Sequence, residues 1–310
     1  MLPVSAVLGI DVGGTKVAVA RIEGAEARDA VEHPTDLDSP EQLLDGIAAA
    51  VAEVGGSPDA VGIGVPSQVE FSTGTVLSSV NIPLAGVPLR EELGRRFGIP
   101  VFVDNDANCA ALAEAQLVPD PPAEHLVMLT LGTGVGGGIV IDGRIERGHS
   151  GLGAEMGHVI LDGEVTLAAT EPGFPRPGSL EWICSGTGLE RAATEAAGTR
   201  VSGRDAVKAA QGGDETMLAV FERYGRWLGL GIASVVNTFE PEYVVIGGGV
   251  SRASDLFLDT ARREAARNTL PALWERATVG LARGGAAAGV IGAGVLAAQE
   301  LARTGDTATT

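Results

Sequence analysis

One plan is written twice in this chain. Ala6 to Val12 is apolar and reads as a buried strand, Asp11-Val12-Gly13-Gly14-Thr15-Lys16 is a polar, Gly-rich turn, and Val17 to Ile22 is a second strand. Further on, Leu126 to Leu131 reads as a strand, Gly132 to Gly138 as a turn, Ile139 to Ile141 as a strand and Asp142-Gly143 as the next turn. Strand, Gly-rich turn and strand is a hairpin signature. Two hairpins of one design predict two similarly built domains facing one another. The 310 residues are enough for both.

The remaining segments alternate helix and strand, as an α/β fold requires. Ser39 to Glu53 has helical periodicity with Pro40 in the first turn, Ala60 to Pro66 is a buried strand, and Leu89 to Phe97 is a short helix. Helices are predicted over Leu180 to Ala197, Thr216 to Phe239, Asp255 to Thr269 and Ala286 to Leu301. The second carries an apolar stripe of Leu218, Phe221, Leu228 and Ile232, and the last is rich in small residues that favour close packing. Tyr243 to Ile246 is a buried strand running into Gly247-Gly248-Gly249. Val118-Pro119-Asp120-Pro121-Pro122 breaks the chain and marks a domain boundary.

Chemistry concentrates after the short strand Val101-Phe102-Val103. Asp104, Asn105, Asp106 and Asn108 follow at once, and then an Ala-rich helix begins near Cys109. Ligands of open α/β sheets bind at the carboxyl ends of strands. Asp and Asn are also the best helix caps, but capping needs one such residue and four are present. A second polar cluster, Glu155-Met156-Gly157-His158, lies among glycines, and Glu181 stands at a helix start. Glu and His can both hydrogen-bond a polyhydroxyl ligand.

Glycine numbers 45, about twice the usual share, and clusters in loops without a period. Gly13-Gly14-Thr15-Lys16, Gly132 to Gly138 and Gly247-Gly248-Gly249 have the composition of phosphate cradles, where successive backbone N–H groups face an anion. None is a Walker A loop, and Gly132-Thr133-Gly134-Val135-Gly136-Gly137 precedes a strand instead of the helix a dinucleotide fingerprint demands. A net charge of −18 opposes nucleic acid and anionic membranes as partners. Cys109 and Cys184 make no disulfide framework and no metal knuckle. With no secretory signal and no apolar run of membrane length read from the sequence, a cytoplasmic protein is expected.

The ordered set Asp11 to Lys16, Gly64-Val65-Pro66, Asn105 to Asn108, Leu131 to Gly138, Glu155 to His158, Glu181 with Ser185-Gly186, and Val245 to Gly249 resembles the ROK family of bacterial sugar kinases and repressors. The resemblance implies two actin-like (ribonuclease-H-like) α/β domains facing a central cleft, residues 1–118 joined by the C-terminal helix 288–303, and residues 119–287. It implies ATP with Mg2+ and a hexose as ligands, and a homodimer or homotetramer. Asp106 would be the general base. Asn81, Asn105, Glu155, His158 and Glu181 would hold the sugar. Asp11, Gly13, Gly14, Thr15, Lys16, Gly132, Thr133 and Gly134 would hold phosphates, with Gly248 and Gly249 near adenosine. The activity implied is that of a glucokinase acting on the 6-hydroxyl. The alternatives are an N-acetylglucosamine or N-acetylmannosamine kinase, or polyphosphate as donor. A sugar-responsive repressor is disfavoured, because its DNA-binding domain would precede the first hairpin.

Three departures stand out. Many relatives carry a Cys-rich zinc loop between the His and the second Glu, but here Thr170 to Leu180 has no cysteine, so no structural zinc is expected. Pro172 to Gly178 is instead rich in Pro and Gly, and Phe174 is expected to bury its ring and anchor the loop. Ser67 and Gln68 follow Pro66, and Ala154 precedes Glu155, at positions where relatives often have Gly.

Overall fold

The computed structural model describes residues 6–117 and 121–307, with no side-chain account beyond residue 304. The expected boundary at Val118-Pro119-Asp120 lies outside the described residues. Contacts divide the chain into one unit of Met1–Glu124, Gly138–Ala154 and Arg283–Thr310, and a second of His125–Gly137 and Glu155–Ala282.

In the first unit, β1 (Val7–Val12), β2 (Lys16–Glu23) and β3 (Glu26–Pro34) form an antiparallel meander. Helix α1 (Pro40–Val54) follows, capped by Ser39, whose hydroxyl accepts the Gln42 N–H at 3.2 Å. Strand β4 (Ala60–Val65) pairs parallel with β1. A hairpin of β5 (Ser67–Glu70) and β6 (Thr75–Ser79) leads to α2 (Leu89–Phe97). Then β7 (Val101–Asn105) pairs parallel with β4, and α3 (Asp106–Leu117) begins where β7 ends. The sheet order is β3-β2-β1-β4-β7. Its apolar faces bury Leu8, Ile10, Val19, Ile63 and Val103 among others.

The second sheet repeats that order as β10-β9-β8-β11-β12, built from β8 (Leu126–Leu131), β9 (Val135–Ile141), β10 (Arg144–Ile145), β11 (Tyr243–Gly247) and β12 (Thr278–Leu281). The expected turn over Gly132 to Gly138 is therefore shorter, because Gly136 to Gly138 lie in β9. A Cβ on Gly137 would stand 2.4 Å from the Met128 carbonyl oxygen, so this glycine serves a close approach and not a turn.

Helices α4 (Gly163–Ala168), α5 (Leu180–Cys184), α6 (Gly186–Ala197), α7 (Gly203–Gln211), α8 (Glu215–Phe239), α9 (Leu258–Asn268) and α10 (Pro271–Trp274) complete the second unit. The single helix expected over Leu180 to Ala197 is broken at Ser185, which takes extended backbone and caps α6 through the Gly188 N–H at 3.0 Å. Helix α9 begins at Leu258, after a 3-10 stretch from Gly249 to Leu256, and not at Asp255. In α8 the buried stripe runs through Met217, Phe221, Leu228 and Ile232, whereas Leu218 is exposed. One position separates Met217 from Leu218, and a helix turns 100° between them.

The C-terminal helix α11 (Ala288–Thr307) belongs to the first unit and packs on β1, β4 and α3. Segment Gly285–Thr304 is long and apolar enough to cross a membrane by length and composition only, a test that a core helix also passes, and 56% of its apolar 18-residue window is buried. Its contacts run backbone to backbone through glycine: a Cβ on Gly9 would lie 1.8 Å from the Val290 carbonyl oxygen, and one on Gly62 1.7 Å from that of Ala293. Small residues were expected here, and backbone-level contact is what requires them.

Candidate functional site

The first unit holds its candidates at the carboxyl ends of β1 and β7. Asp11 is paired in register with Ala18 and Gly64, and its carboxylate faces the start of α11, where a Cβ on Gly289 would stand 2.5 Å away. Burial raises its pKa and Lys16 opposes that. The Gly13–Thr15 turn closes through the Gly13 N–H to the Lys16 carbonyl at 2.8 Å. Thr35 braces it from β3's end, donating its hydroxyl to the Gly13 carbonyl at 2.7 Å and its N–H to that of Thr15 at 3.1 Å. Sequence reasoning missed Thr35, for no local signal ties it to the turn. Lys16 pairs with Glu32 at the surface, and the exposed Asn81 lies beside Gly14.

The four polar residues after β7 divide the work. Asn105 caps α3, its side-chain oxygen accepting the Ala107 N–H at 2.9 Å, and its amide donates to the Ser67 carbonyl at 3.3 Å. Asp104 and Asn108 are buried and bond each other at 2.8 Å. Asp106 remains in the first turn of the helix, where the Ala107 N–H reaches its carboxylate at 2.8 Å. Burial first, and then the charge of Asp11, push the Asp106 carboxyl up to about 6. Gly64 makes the arrangement possible: a Cβ there would meet the Cys109 sulfur at 3.2 Å and the Asp106 Cα at 3.5 Å.

In the second unit the candidates gather around Val135. Its N–H donates to the Glu181 carboxylate at 2.7 Å, and its carbonyl oxygen would lie 2.2 Å from a Cβ on Gly157. Glu181 therefore sits in the first turn of α5 against the Gly132–Gly134 loop, while Glu155 and His158 flank the tight contact at Gly157. The Glu155 and His158 side chains approach to 3.9 Å. The loop is held from below, with the Gly186 N–H on the Gly132 carbonyl at 2.7 Å and the Thr187 hydroxyl on that of Thr133 at 2.9 Å. Thr187 was also missed, although it directly follows Ser185-Gly186. Gly248 has φ +84° and lies against the Leu131 backbone, whereas Gly249 faces open space. Gly132, Thr133, Gly186, Thr187, Gly249 and Arg252 line one cavity of about 1280 Å³.

The cysteine-free segment after His158 is organised by hydrogen bonds. Leu161 and Asp162 donate N–H to the Gly178 carbonyl at 2.8 and 3.0 Å, and Thr166 donates to that of Pro177 at 2.6 Å. The Arg176 guanidinium reaches the carbonyls of Glu171 and Ala169 at 2.6 and 3.3 Å. Phe174 does not bury its ring as expected. It is 78% exposed and stands edge-on to His158, with centroids 5.2 Å apart.

Ala154 takes φ +66°, which explains why glycine suits this position. A left-handed non-glycine residue costs ~1–2 kcal/mol, and a Cβ on the neighbouring Gly153 would stand 2.9 Å from the Arg147 carbonyl oxygen. Ala154→Gly is expected to leave stability unchanged or raise it by up to about 1 kcal/mol, since relief of strain competes with added chain entropy. Thermal unfolding by circular dichroism checks this, and a clear fall in melting temperature would contradict it.

Two sheets of one strand order, each with a Gly-rich turn after its first strand, define the two-domain actin-like class. The chain belongs to the ROK family, whose model matches residues 7–300. A glucokinase from Halalkalibacterium halodurans is 34% identical, over 94% of this chain and 95% of that one. The crystal structure of a ROK hexokinase from Thermus thermophilus matches with TM-score 0.84 and 35% identity, over 96% of this chain and 99% of that one. A ROK family glucokinase from Streptomyces griseus, solved in complex with glucose and AMPPNP, matches with TM-score 0.74 and 32% identity, over 95% and 99%.

Proposed function

We propose that this chain is an ATP-dependent hexose kinase acting on the 6-hydroxyl of glucose, with Asp106 as general base. One observation carries the reading: a half-buried carboxylate at a helix start, with partial burial and the charge of Asp11 pushing its pKa up to about 6. A base poised close to working pH is deprotonated at neutrality yet basic enough to take a proton in the transition state. As the sugar hydroxyl attacks the γ-phosphoryl group, its proton passes to Asp106, the new O–P bond forms and ADP leaves. Positioning and electrostatics supply the rest of the catalysis.

In the first unit, Gly13 to Thr15 are assigned to phosphate, with Asp11 and Lys16, and Asn81 and Asn105 to sugar. In the second, Gly132 to Gly134 are assigned to phosphate, Gly248 and Gly249 to adenosine, and Glu155, His158 and Glu181 to sugar. The domain reading, residues 1–118 with helix 288–303 against residues 119–287, belongs to the same proposal, as do a cytoplasmic location and a homodimer or homotetramer.

Magnesium is implied by the family. Among the described residues no group of three or more His, Cys, Asp or Glu could cage an ion. That fits a hard cation that keeps its waters and is carried on phosphates. Asp11, half-buried near the charge of Lys16, would meet it. When bound, the ion withdraws charge from the phosphates.

A panel of sugars with ATP and magnesium in a coupled ADP-release assay tests the proposal. Glucose is expected to give the highest kcat/KM. A preference for N-acetylglucosamine or N-acetylmannosamine would move the substrate, and no turnover with any hexose would end the reading. Saturating glucose is also expected to raise the melting temperature, since a ligand at 100 Kd stabilises by about 2.7 kcal/mol.

A further inference from the structure

Asp104 lies two residues before the proposed base and spends both carboxylate oxygens within the first unit. One accepts the Asn105 N–H and the Asn108 amide, each at 2.8 Å. The other accepts Nε of Arg147 at 2.7 Å. The donors on the first oxygen flank Asp106 on either side, so a turn of the Asp104 side chain would carry the start of α3 with it. Arg147 is itself fixed on three sides. A second nitrogen donates to the Ile145 carbonyl at 3.3 Å, and the guanidinium lies 3.7 Å above the Phe71 ring. Phe71 sits at the tip of the β5–β6 hairpin, which Arg90 of α2 grips through the carbonyls of Phe71 and Ser72. Gly151 has φ +90°, and a Cβ there would stand 3.0 Å from the Phe71 nitrogen, which keeps the segment after Arg147 against the hairpin.

A buried ion pair adds little stability over an apolar pair of the same shape, because desolvation offsets the attraction. This one is nearly sealed, with 14% and 3% of the two side chains exposed. What it does contribute is direction. We propose that Arg147 is a positioning residue for the phosphoryl transfer, fixing Asp104 and through it the aim of the Asp106 carboxylate. The proposal rests on Asp106 being the base. The hairpin, Arg147, Asp104 and the α3 start form one chain of contacts, so an error at Phe71 is passed to the reacting carboxylate.

A brace that served only the fold would change stability and leave the kcat of folded molecules alone. A positioning residue lowers kcat while the sugar KM holds, because the misaim is felt in the transition state. Arg147→Met, Phe71→Leu, the pair Asp104→Asn with Arg147→Met, and Asp106→Asn would be compared with the parent for kcat, KM and melting temperature. Arg147→Met is expected to lower kcat by roughly 10²-fold, the scale of a 1 Å misplacement, with sugar KM within about threefold. Phe71→Leu keeps both charges and is expected to show a smaller fall of the same kind. The double variant should lose about as much as Arg147→Met, because the two residues act as one device.

Folded Arg147→Met or Phe71→Leu protein with parental kcat, or with only a raised KM, overturns the proposal. Should Arg147→Met fail to fold, Phe71→Leu decides alone. If Asp106→Asn is inactive while the other variants turn over like the parent, the proposal falls and the base assignment stands. If Asp106→Asn is as active as the parent, both fall.

Discussion

Asp106→Asn is expected to cut kcat by roughly 10²–10⁴-fold, the range of general base catalysis, and to raise the melting temperature at pH 8. The two effects share one cause. In the folded chain the carboxyl titrates near 6, against 3.8 as its ordinary value. The folded state therefore holds this proton more tightly than the unfolded state. Above about pH 6 the partly buried charge costs the folded state the full difference, on the order of 3 kcal/mol. That cost shrinks as pH falls through 6 and is absent below about 4. Asparagine keeps the shape without the charge, so its stabilisation is present at pH 8 and lost near pH 4. The kcat of the parent is expected to fall on the acid side as Asp106 takes up its proton. Melting curves of both proteins from pH 4 to 8, with kcat at each pH, check the set. A variant that turns over within tenfold of the parent would end the base assignment, and one less stable at pH 8 would end the account of burial.

Gly292→Ala is expected to cost about 3 kcal/mol or more, the upper range for overpacking a filled core. Its added Cβ would stand 1.6 Å from the Cys109 carbonyl oxygen and 2.3 Å from the carbonyl carbon. Both are backbone atoms of α3, so no side chain can swing away, and α11 would have to lift from α3. That would also draw α11 from β1 and β4, where Gly9 and Gly62 admit it. Gly46→Ala in α1 is the matched control: its Cβ meets nothing within 4 Å, and alanine in a helix interior is favoured by about 1 kcal/mol. Opposite shifts in melting temperature are expected, and a neutral Gly292→Ala would show that the α11 contact is looser than it stands here.

Much of this was written locally. Ser39 with Pro40 announced α1, the alternation around each Gly-rich turn announced the paired hairpins, and Leu89 to Phe97 was read to the residue, because caps, turns and apolar period act over a few positions. Segments without such signals were missed. Strand β3 carries charge on an edge and has no apolar face of its own. The hairpin Ser67–Ser79 lies in a polar stretch whose turn follows from its grip by Arg90. Leu218 and Phe174 were misplaced for one reason: hydrophobicity shows that a residue can be buried, but not whether a neighbour is there to cover it.

The sequence by itself determined the duplicated α/β plan, the family and the residue types offered to a ligand, since each depends on pattern and order. Which of those residues serve the fold was decided only by tertiary structure. Asp104, Asn105, Asp106 and Asn108 look alike along the chain. Arg147, 43 positions on, claims Asp104, the helix start claims Asn105, and Asp104 claims Asn108 in turn. Asp106 is left at the helix start with a carboxyl raised by burial and by Asp11, because burial and charge neighbours are properties of the packed chain and not of its order.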